Sequence, residues 1–323
     1  MNTGILSSRH KRHTAEIRLR PFDPITGDIV VGVLEDGRPA VINVSNQSGV
    51  VVGGVPGSGK TVGMMLIVLS LLLSGITRVH VIDGKGGADW RWASTSGLDY
   101  STDDTDAALS MLKRMHLKLR ERLTSLPDEY GTSNWWNIHS RQRPPLEVIV
   151  IDECQLWFDL RHLTDLSKEH KEKCSTILSL ATDLVRRGRS AGFILFVLTQ
   201  KPTADSLPTN LRDNCGTRIC FRVLTAEAGR AVLGDLPTGA PDPTTIPASR
   251  RGGAVITTDS GMTSMCRFAY MPEGEAERLI CMYRTDASKH TAVINNCETG
   301  DTVQQAPSTR STCAKCQGGL FFR

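Results

Sequence analysis

The chain has 323 residues, 40% of them hydrophobic and 22% charged, which suits one large α/β domain with additions, or two modest domains, around a packed core. A net charge of only +4 excludes a uniformly basic polyanion binder, so any nucleic-acid contact must come from local basic patches. Nine cysteines follow no secretory leader, and the most apolar window, Leu66 to Ile76, is too short to span a bilayer; the expected setting is cytoplasmic, with Cys154, Cys215 and Cys220 as reduced buried thiols.

In chain order, residues 1–27 read as a flexible basic arm carrying Arg9, His10, Lys11, Arg12 and His13. Ile29–Leu34 and Ala40–Val44 alternate as strands around the turn Glu35–Pro39, an N-terminal β-hairpin leading into the core. Gly49–Gly53 is a short β-branched strand, Val62–Leu69 a helix, and Arg78–Asp83 a strand ending in the turn Gly84-Lys85-Gly86-Gly87. Asp103 to about Leu126 reads as a helix with Leu112, Met115, Leu119, Leu123 and Leu126 on one face. Its other face carries Lys113, Arg114, Lys118, Arg120 and Arg122, either a solvated side or a basic surface. Leu146–Ile151, Gly192–Leu198 and Thr217–Val223 are further apolar strands, with a helix over Cys174–Gly188 between the first two. Pro237–Pro247 reads as an exposed loop, Gly253–Thr257 and Met265–Tyr270 as closing strands, and a short helix follows Pro272. Near-continuous apolar strands interleaved with helices predict an α/β fold whose mainly parallel sheet is covered by helices on both faces. The domain reading is therefore an arm at 1–27, a main domain at 28–272, and a cysteine-containing tail at 273–323. In that tail Cys313-Ala314-Lys315-Cys316, with Cys281 and Cys297 upstream, supplies only half of a zinc site.

Gly54-Val55-Pro56-Gly57-Ser58-Gly59-Lys60-Thr61 fits G-x-x-x-x-G-K-[ST] at every fixed position, between a strand and a helix that continues with Val62. Glycines let backbone N–H groups turn in around phosphate oxygens, and the helix N-terminus adds partial positive charge. In this arrangement Lys60 reaches the β- and γ-phosphates of ATP and the Thr61 hydroxyl ligates Mg²⁺. The strand Val148–Ile151 then delivers Asp152, expected to hold Mg²⁺ through its coordination shell, and Glu153, expected to act as general base on water. Thr199-Gln200 at the end of the next strand offers a polar group beside the γ-phosphate, or a turn residue without a role.

Taken together, Gly54–Thr61, the stretch Val81-Ile82-Asp83-Gly84-Lys85-Gly86-Gly87, Ile151-Asp152-Glu153, Gly188–Gly192, Leu198-Thr199-Gln200-Lys201-Pro202 and Gly216–Ile219 resemble the FtsK/SpoIIIE family of DNA-translocating ATPases, over about residues 28 to 235. The lack of a membrane span and the small size resemble the transfer proteins of actinobacterial conjugative plasmids and integrative elements. The resemblance implies a RecA-like P-loop NTPase that assembles into a ring, usually a hexamer, around double-stranded DNA, with ATP between subunits. It implies a trans-acting arginine, for which Arg218, on an edge-like strand, and Arg120 or Arg122 are the candidates. Arg186, Arg187 and Arg189 could serve subunit contacts or DNA phosphates. The stretch Asp159–Lys173, with Arg161, Lys168, Lys171 and Lys173 among Asp165, Glu169 and Glu172, could form a pore-facing loop. The function expected is DNA transport in conjugation, with peripheral association at a membrane partner on the inner face of the cell membrane; chromosome segregation and protein-secretion coupling are the alternatives.

Overall fold

The computed structural model describes residues 19–96, 98–162, 167–258, 261–272 and 274–280. Most of the expected basic arm, the tail cysteines Cys281, Cys297, Cys313 and Cys316, and Asp165 lie outside the described residues.

Ten strands form one sheet: β1 (Asp28–Leu34), β2 (Pro39–Asn43), β3 (Gly49–Gly53), β4 (Thr77–Asp83), β5 (Asp99–Ser101), β6 (Leu146–Asp152), β7 (Phe193–Thr199), β8 (Thr217–Phe221), β9 (Gly253–Thr257) and β10 (Thr263–Phe268). Their order is β2-β1-β10-β9-β8-β3-β7-β6-β4-β5. Strands β3 to β8 are parallel, and β9, β10, β1 and β2 continue the sheet antiparallel from β8. The N-terminal hairpin thus extends the far edge of the sheet. The helices are α1 (Lys60–Leu73), α2 (Arg91–Thr95), α3 (Thr105–Tyr130), α4 (Gln155–Phe158), α5 (Lys168–Ala191), α6 (Thr209–Arg212) and α7 (Ala226–Leu233).

Strands β3, β6 and β7 are buried along their whole length because helices cover both faces. Alternation divides their side chains between two cores. Val50, Val52, Val148, Val150 and Phe196 join the α1 core, whereas Val51, Ile149, Ile151, Leu195 and Val197 join the core under α3 and α5.

Caps explain where the long helices stop. Asp104 accepts from the N–H groups of Asp106 and Ala107 at the start of α3, and Gly131 closes it at φ 67°. This helix runs past the expected end at Leu126, through Pro127, and closes where Gly131 N–H donates to Pro127 O. Helix α5 begins six residues before the expected Cys174: its first turns are held by Ser167, which accepts from His170 N–H, and by Lys168–Glu172 and Lys173–Glu169 ion pairs. Lys168, Lys171 and Lys173 therefore stand on a helix, correcting the reading of this stretch as a loop. At the other end Gly192 adopts φ 71° and lies under the Trp135 ring, where a Cβ would come within 2.5 Å of the indole.

Strand β5, helix α2 and the 3-10 turn Ala88–Trp90 were not foreseen. The proline segment is a loop built around a 3-10 turn, Pro243–Thr245, and it packs inward through Pro243 and Ile246.

The basic face of α3 is largely neutralised within the fold. Arg114 pairs with Asp99, while Lys118 and Arg122 both donate to the fully buried Glu147 at the start of β6. His80 of β4 bonds Asp99 through Nδ1 at 2.7 Å and Glu147 through Nε2 at 2.8 Å. Lys113 and Arg120 remain as exposed cations of the stripe outside this network. Arg186 and Arg187 are likewise drawn onto Asp183, at 2.7 and 3.0 Å, and Arg189 is exposed.

Candidate nucleotide site

The glycine loop joins β3 to α1 and is pinned to the strands on either side of β3. Gly54 N–H donates to Thr199 O at 3.3 Å, next to β3 through β7, and Val55 N–H donates to Arg222 O at 3.0 Å beyond β8. Gly57 takes φ 74° with open space around it, and Gly59, at φ 102°, starts α1 with no side-chain cap. An uncapped helix start leaves backbone N–H groups free to meet an anion. The loop is also clasped from the C-terminal half of the sheet: Gly252 N–H donates to Ser58 O at 2.8 Å, and a Cβ on Gly59 would stand 2.8 Å from Gly252 N.

A cavity of about 570 Å³ opens over the loop. Val55, Pro56, Gly57, Gly59, Lys60, Thr61 and Val62 line it, together with Gln200. Gly54 and Ser58 stand behind this lining, and Ser58 Oγ is buried without a hydrogen-bond partner. The volume is within the range of pockets that take a nucleotide-sized ligand.

The carboxyl ends of β3, β6 and β7 converge here, as expected for an open α/β sheet. Lys60 Nζ lies 2.6 Å from Asp152 Oδ1 and 3.5 Å from Glu153 Oε1, and all three side chains are buried. Asp152 Oδ1 also accepts Glu153 N–H at 2.9 Å, and its Oδ2 accepts the indole N–H of Trp90 at 2.8 Å. Glu153 is one of two non-glycine residues with positive φ among the described residues, at 53°, so the turn directly after β6 is strained. Its Oε2 accepts from Gln155 Nε2 at 2.7 Å and from Gln200 N–H at 3.2 Å.

The turn after β4 supports this acid pair. Asp83 accepts from Lys85 N–H, Gly87 N–H and Tyr100 OH. Burial pushes its carboxyl above the usual range against those hydrogen bonds, and the nearby Asp152 adds to the rise. Burial, with Asp83 alongside, pushes the Tyr100 phenol up to about 12. Gly84 is required for close approach, since a Cβ there would stand 2.8 Å from Asp152 O. Lys85 also lines the cavity, paired at 2.7 Å with Asp89.

The arginine candidates separate. Strand β8 is interior, between β3 and β9, correcting the edge position expected for Arg218. The Arg218 guanidinium is engaged within the subunit, donating to Leu233 O at 3.0 Å and reaching Arg212 O and Cys215 O at longer range. Arg122 is buried, donating to Ala191 O, Gly192 O and Glu147, with its guanidinium 5.0 Å from the Phe193 ring centre. Arg120 alone of the three is exposed.

Several residues at the site were not expected from the sequence, Trp90, Gln155, Arg251 and Arg267 among them. Trp90 carried a weak signal, three residues beyond the Gly86-Gly87 turn, and Gln155 stood two residues after Glu153. Arg251 and Arg267 line the cavity from the antiparallel half of the sheet, to which no spacing motif pointed. The cysteines expected to be buried are so: burial holds the Cys154 thiol well above its usual pKa and pushes Cys215 up to about 12.

No family model matches the chain. Among curated proteins it is similar to the DNA translocase FtsK of Pasteurella multocida strain Pm70, 22% identical over 279 residues that cover 76% of this chain and 28% of that protein. It is also similar to FtsK of Helicobacter pylori strain ATCC 700392 / 26695, 26% identical over 230 residues, covering 68% of this chain and 25% of that one. The chain thus spans only about a quarter of the length of these curated relatives. Among solved structures it is similar to the pCW3 conjugation coupling protein TcpA with ATPγS, at TM-score 0.65 and 23% identity over 83% of this chain and 75% of that one. The cytoplasmic domain of the Thermomonospora curvata type VII secretion ATPase EccC follows at TM-score 0.62 and 19% identity, covering 84% of this chain and 32% of that one. At such identities the structures establish the fold. The chain therefore has a RecA-like P-loop α/β fold, and its sequence is similar to FtsK DNA translocases.

Proposed function

We propose that this chain is an ATP-hydrolysing motor that moves double-stranded DNA. The observation that carries the proposal is the buried Lys60–Asp152–Glu153 cluster at the mouth of a glycine-loop cavity. A buried lysine shared by two carboxylates is poised to exchange partners. When ATP enters, Lys60 turns from Asp152 to the phosphates, and Asp152 is released. One hydroxyl from Thr61 and one carboxylate from Asp152 suit Mg²⁺, which takes few protein ligands and completes its shell with phosphates and water. When bound there, Mg²⁺ would supply positive charge against the phosphates. Glu153 takes the proton of the attacking water, and Gln200, on the cavity wall, sits where loss of the γ-phosphate would be felt.

Double-stranded DNA as the substrate is supported by the FtsK relatives, and conjugative transfer by the likeness to TcpA. On this reading the chain works as a ring, with the hexamer as the expected size, and Arg120 is the candidate best exposed to reach a neighbouring subunit. Peripheral association with a membrane partner belongs to this reading; among the described residues no helix is long and apolar enough to cross a membrane. Chromosome segregation is the alternative within DNA transport. Coupling to protein secretion is a second reading, favoured by the fold likeness to EccC.

The test is ATP hydrolysis with and without duplex DNA across a salt series. DNA transport predicts stimulation by duplex that falls steeply as salt rises, because phosphate contacts release counterions. Equal activity with and without duplex at low salt would favour the secretion reading. Lys60→Ala removes hydrolysis under either reading, and a wild-type chain that neither binds nor splits ATP overturns both.

A further inference from the structure

We infer that Gln155 is a positioning residue that couples the tip of β7 to the Glu153 carboxylate. The inference rests on the ATPase reading and adds to it a link between the strand expected to sense the phosphate and the group expected to activate water.

The hydrogen atoms can be counted along the link. Lys201 N–H donates to Thr199 Oγ1 at 3.1 Å and so occupies a lone pair of that hydroxyl. The hydroxyl hydrogen is then free to donate to Gln155 Oε1, 2.7 Å away. With its oxygen turned to Thr199, the Gln155 amide must present its NH₂ group to Glu153 Oε2, also at 2.7 Å. The reversed amide would deprive the Thr199 hydroxyl hydrogen of this acceptor and set a carbonyl oxygen against the Glu153 carboxylate, two acceptors with no hydrogen between them. One amide orientation therefore satisfies every partner.

The same Glu153 oxygen accepts Gln200 N–H at 3.2 Å, so both of its donors depend on the tip of β7. Among the described residues, the other oxygen, Oε1, has only the long 3.5 Å contact to Lys60. Glu153 is thus held firmly from one side while its backbone stands in the left-handed region at φ 53°. Strands β6 and β7 are hydrogen-bonded neighbours, and Cys154 N–H donates to Leu198 O at 2.9 Å, so the backbone joins the two tips and the side-chain link adds the connection to the Glu153 carboxylate. Gln200 lines the nucleotide cavity, and the next residue, Lys201, is exposed. A shift at this tip is passed to Glu153 by two hydrogen bonds, one through Gln155 and one direct. Thr199 and Gln155 act only through Glu153 and need not touch the nucleotide.

The experiment measures kcat and KM for ATP with magnesium, and binding of ATPγS, on the full chain and on Q155L, T199V, the Q155L/T199V double variant and T199S. Thr199→Val keeps the volume of a buried residue and removes its hydroxyl, whereas Thr199→Ser restores the hydroxyl. Q155L and T199V are each expected to lower kcat about tenfold, part of the ~10²–10⁴-fold that a well-placed base supplies. ATPγS affinity and KM should stay within about twofold, which marks a loss felt only in the chemical step. The double variant should fall no further than either single, because both remove the same link. T199S should recover most of the lost rate. Wild-type kcat in Q155L, additive losses in the double variant, or T199S as slow as T199V would each overturn the link while leaving the ATPase reading intact. If Q155L fails to bind ATPγS, the T199V against T199S contrast decides: equal rates overturn the link, and loss with recovery supports it. Absence of hydrolysis by the wild-type chain overturns the ATPase reading, and the link with it.

Discussion

Strand β6 carries buried carboxylates at both ends, and the two ends are built for opposite purposes. At its start Glu147 is saturated: Lys118 and Arg122 meet Oε1, and His80 meets Oε2 at 2.8 Å. His80 touches carboxylate oxygens through both ring nitrogens, an arrangement that favours the imidazolium, in which both nitrogens donate. At its end Asp152 and Glu153 share a single cation, Lys60, and their other donors are one indole, one amide and backbone N–H groups. A fully paired cluster in a low-dielectric setting is costly to disturb and holds β4, β6, α3 and Asp99 of β5 in register. An under-compensated pair of acids around one lysine can exchange partners when a polyanion arrives. The same strand therefore anchors the fold at one end and leaves the other free to react.

This contrast can be broken at either end. The largest effect is expected from Lys60→Ala, which should reduce ATP hydrolysis on the order of 10³-fold, as loss of a charge-stabilising donor does. Removing Lys60 also strands the buried Asp152 and Glu153, so the urea midpoint should fall as well, and the two ends are told apart by hydrolysis per folded molecule. Glu147→Ala should cost about 3–5 kcal/mol, because it strands buried cations, and urea titration would measure it. Hydrolysis per folded molecule should survive that change, and a chain still folded but inactive would place Glu147 within the site's influence. A smaller loss, about 2 kcal/mol, is expected for Trp90→Phe, which removes the N–H donor to Asp152 and leaves a void where the larger indole was buried. Its sharper readout is a higher magnesium requirement for ATPγS binding, and an unchanged requirement would leave Trp90 a packing residue.

The smallest effect is a pH dependence at the anchoring end. Burial alone would lower the His80 pKa, but hydrogen bonds to Asp99 and Glu147 outweigh it and raise the value above 6.5. A pKa raised by folding gives stability that is complete below 6.5 and is lost as pH climbs through the folded value. The partners act in the opposite sense. The His80 hydrogen bond, set against burial, lowers Asp99; burial would raise Glu147, and bonds from His80 and Lys118 reverse it. Their contribution is present above their unfolded values of 3.8 and 4.5 and fades as pH falls through the lowered folded ones. Urea midpoints should therefore decline on the alkaline side of 6.5 in the wild type, and His80→Gln should flatten that decline. An equal decline in the variant would remove His80 from the account.

Much of the parallel core was legible because its signals are local. β-branched runs mark buried strands, and β3 and β9 begin and end at the residues expected. The glycine loop and acid pair announce themselves by spacing, and the fold brings Lys60, Asp152 and Glu153 together as that spacing implied. Less legible was anything decided by partners distant in the chain. The α3 basic stripe looks like an open surface in sequence, yet Glu147 and Asp99 neutralise Arg114, Lys118 and Arg122. Arg218 looks available on a short strand, yet β9 covers that edge and the carbonyl of Leu233 takes the guanidinium. The polar first turns of α5 hide a helix start because ion pairs, not apolar periodicity, support it.

By itself the amino-acid order determined where the core strands and the middles of the long helices would form and which short segment could cradle a phosphate, since turn geometry, periodicity and backbone freedom act over a few residues. Only the tertiary structure decided which charges are spent inside the fold and which stay available, and that Trp90 and Gln155 hold the acid pair. The reason is physical: electrostatic pairing and hydrogen-bond satisfaction depend on distance in space and on exclusion of water, and neither is defined until the sheet has assembled.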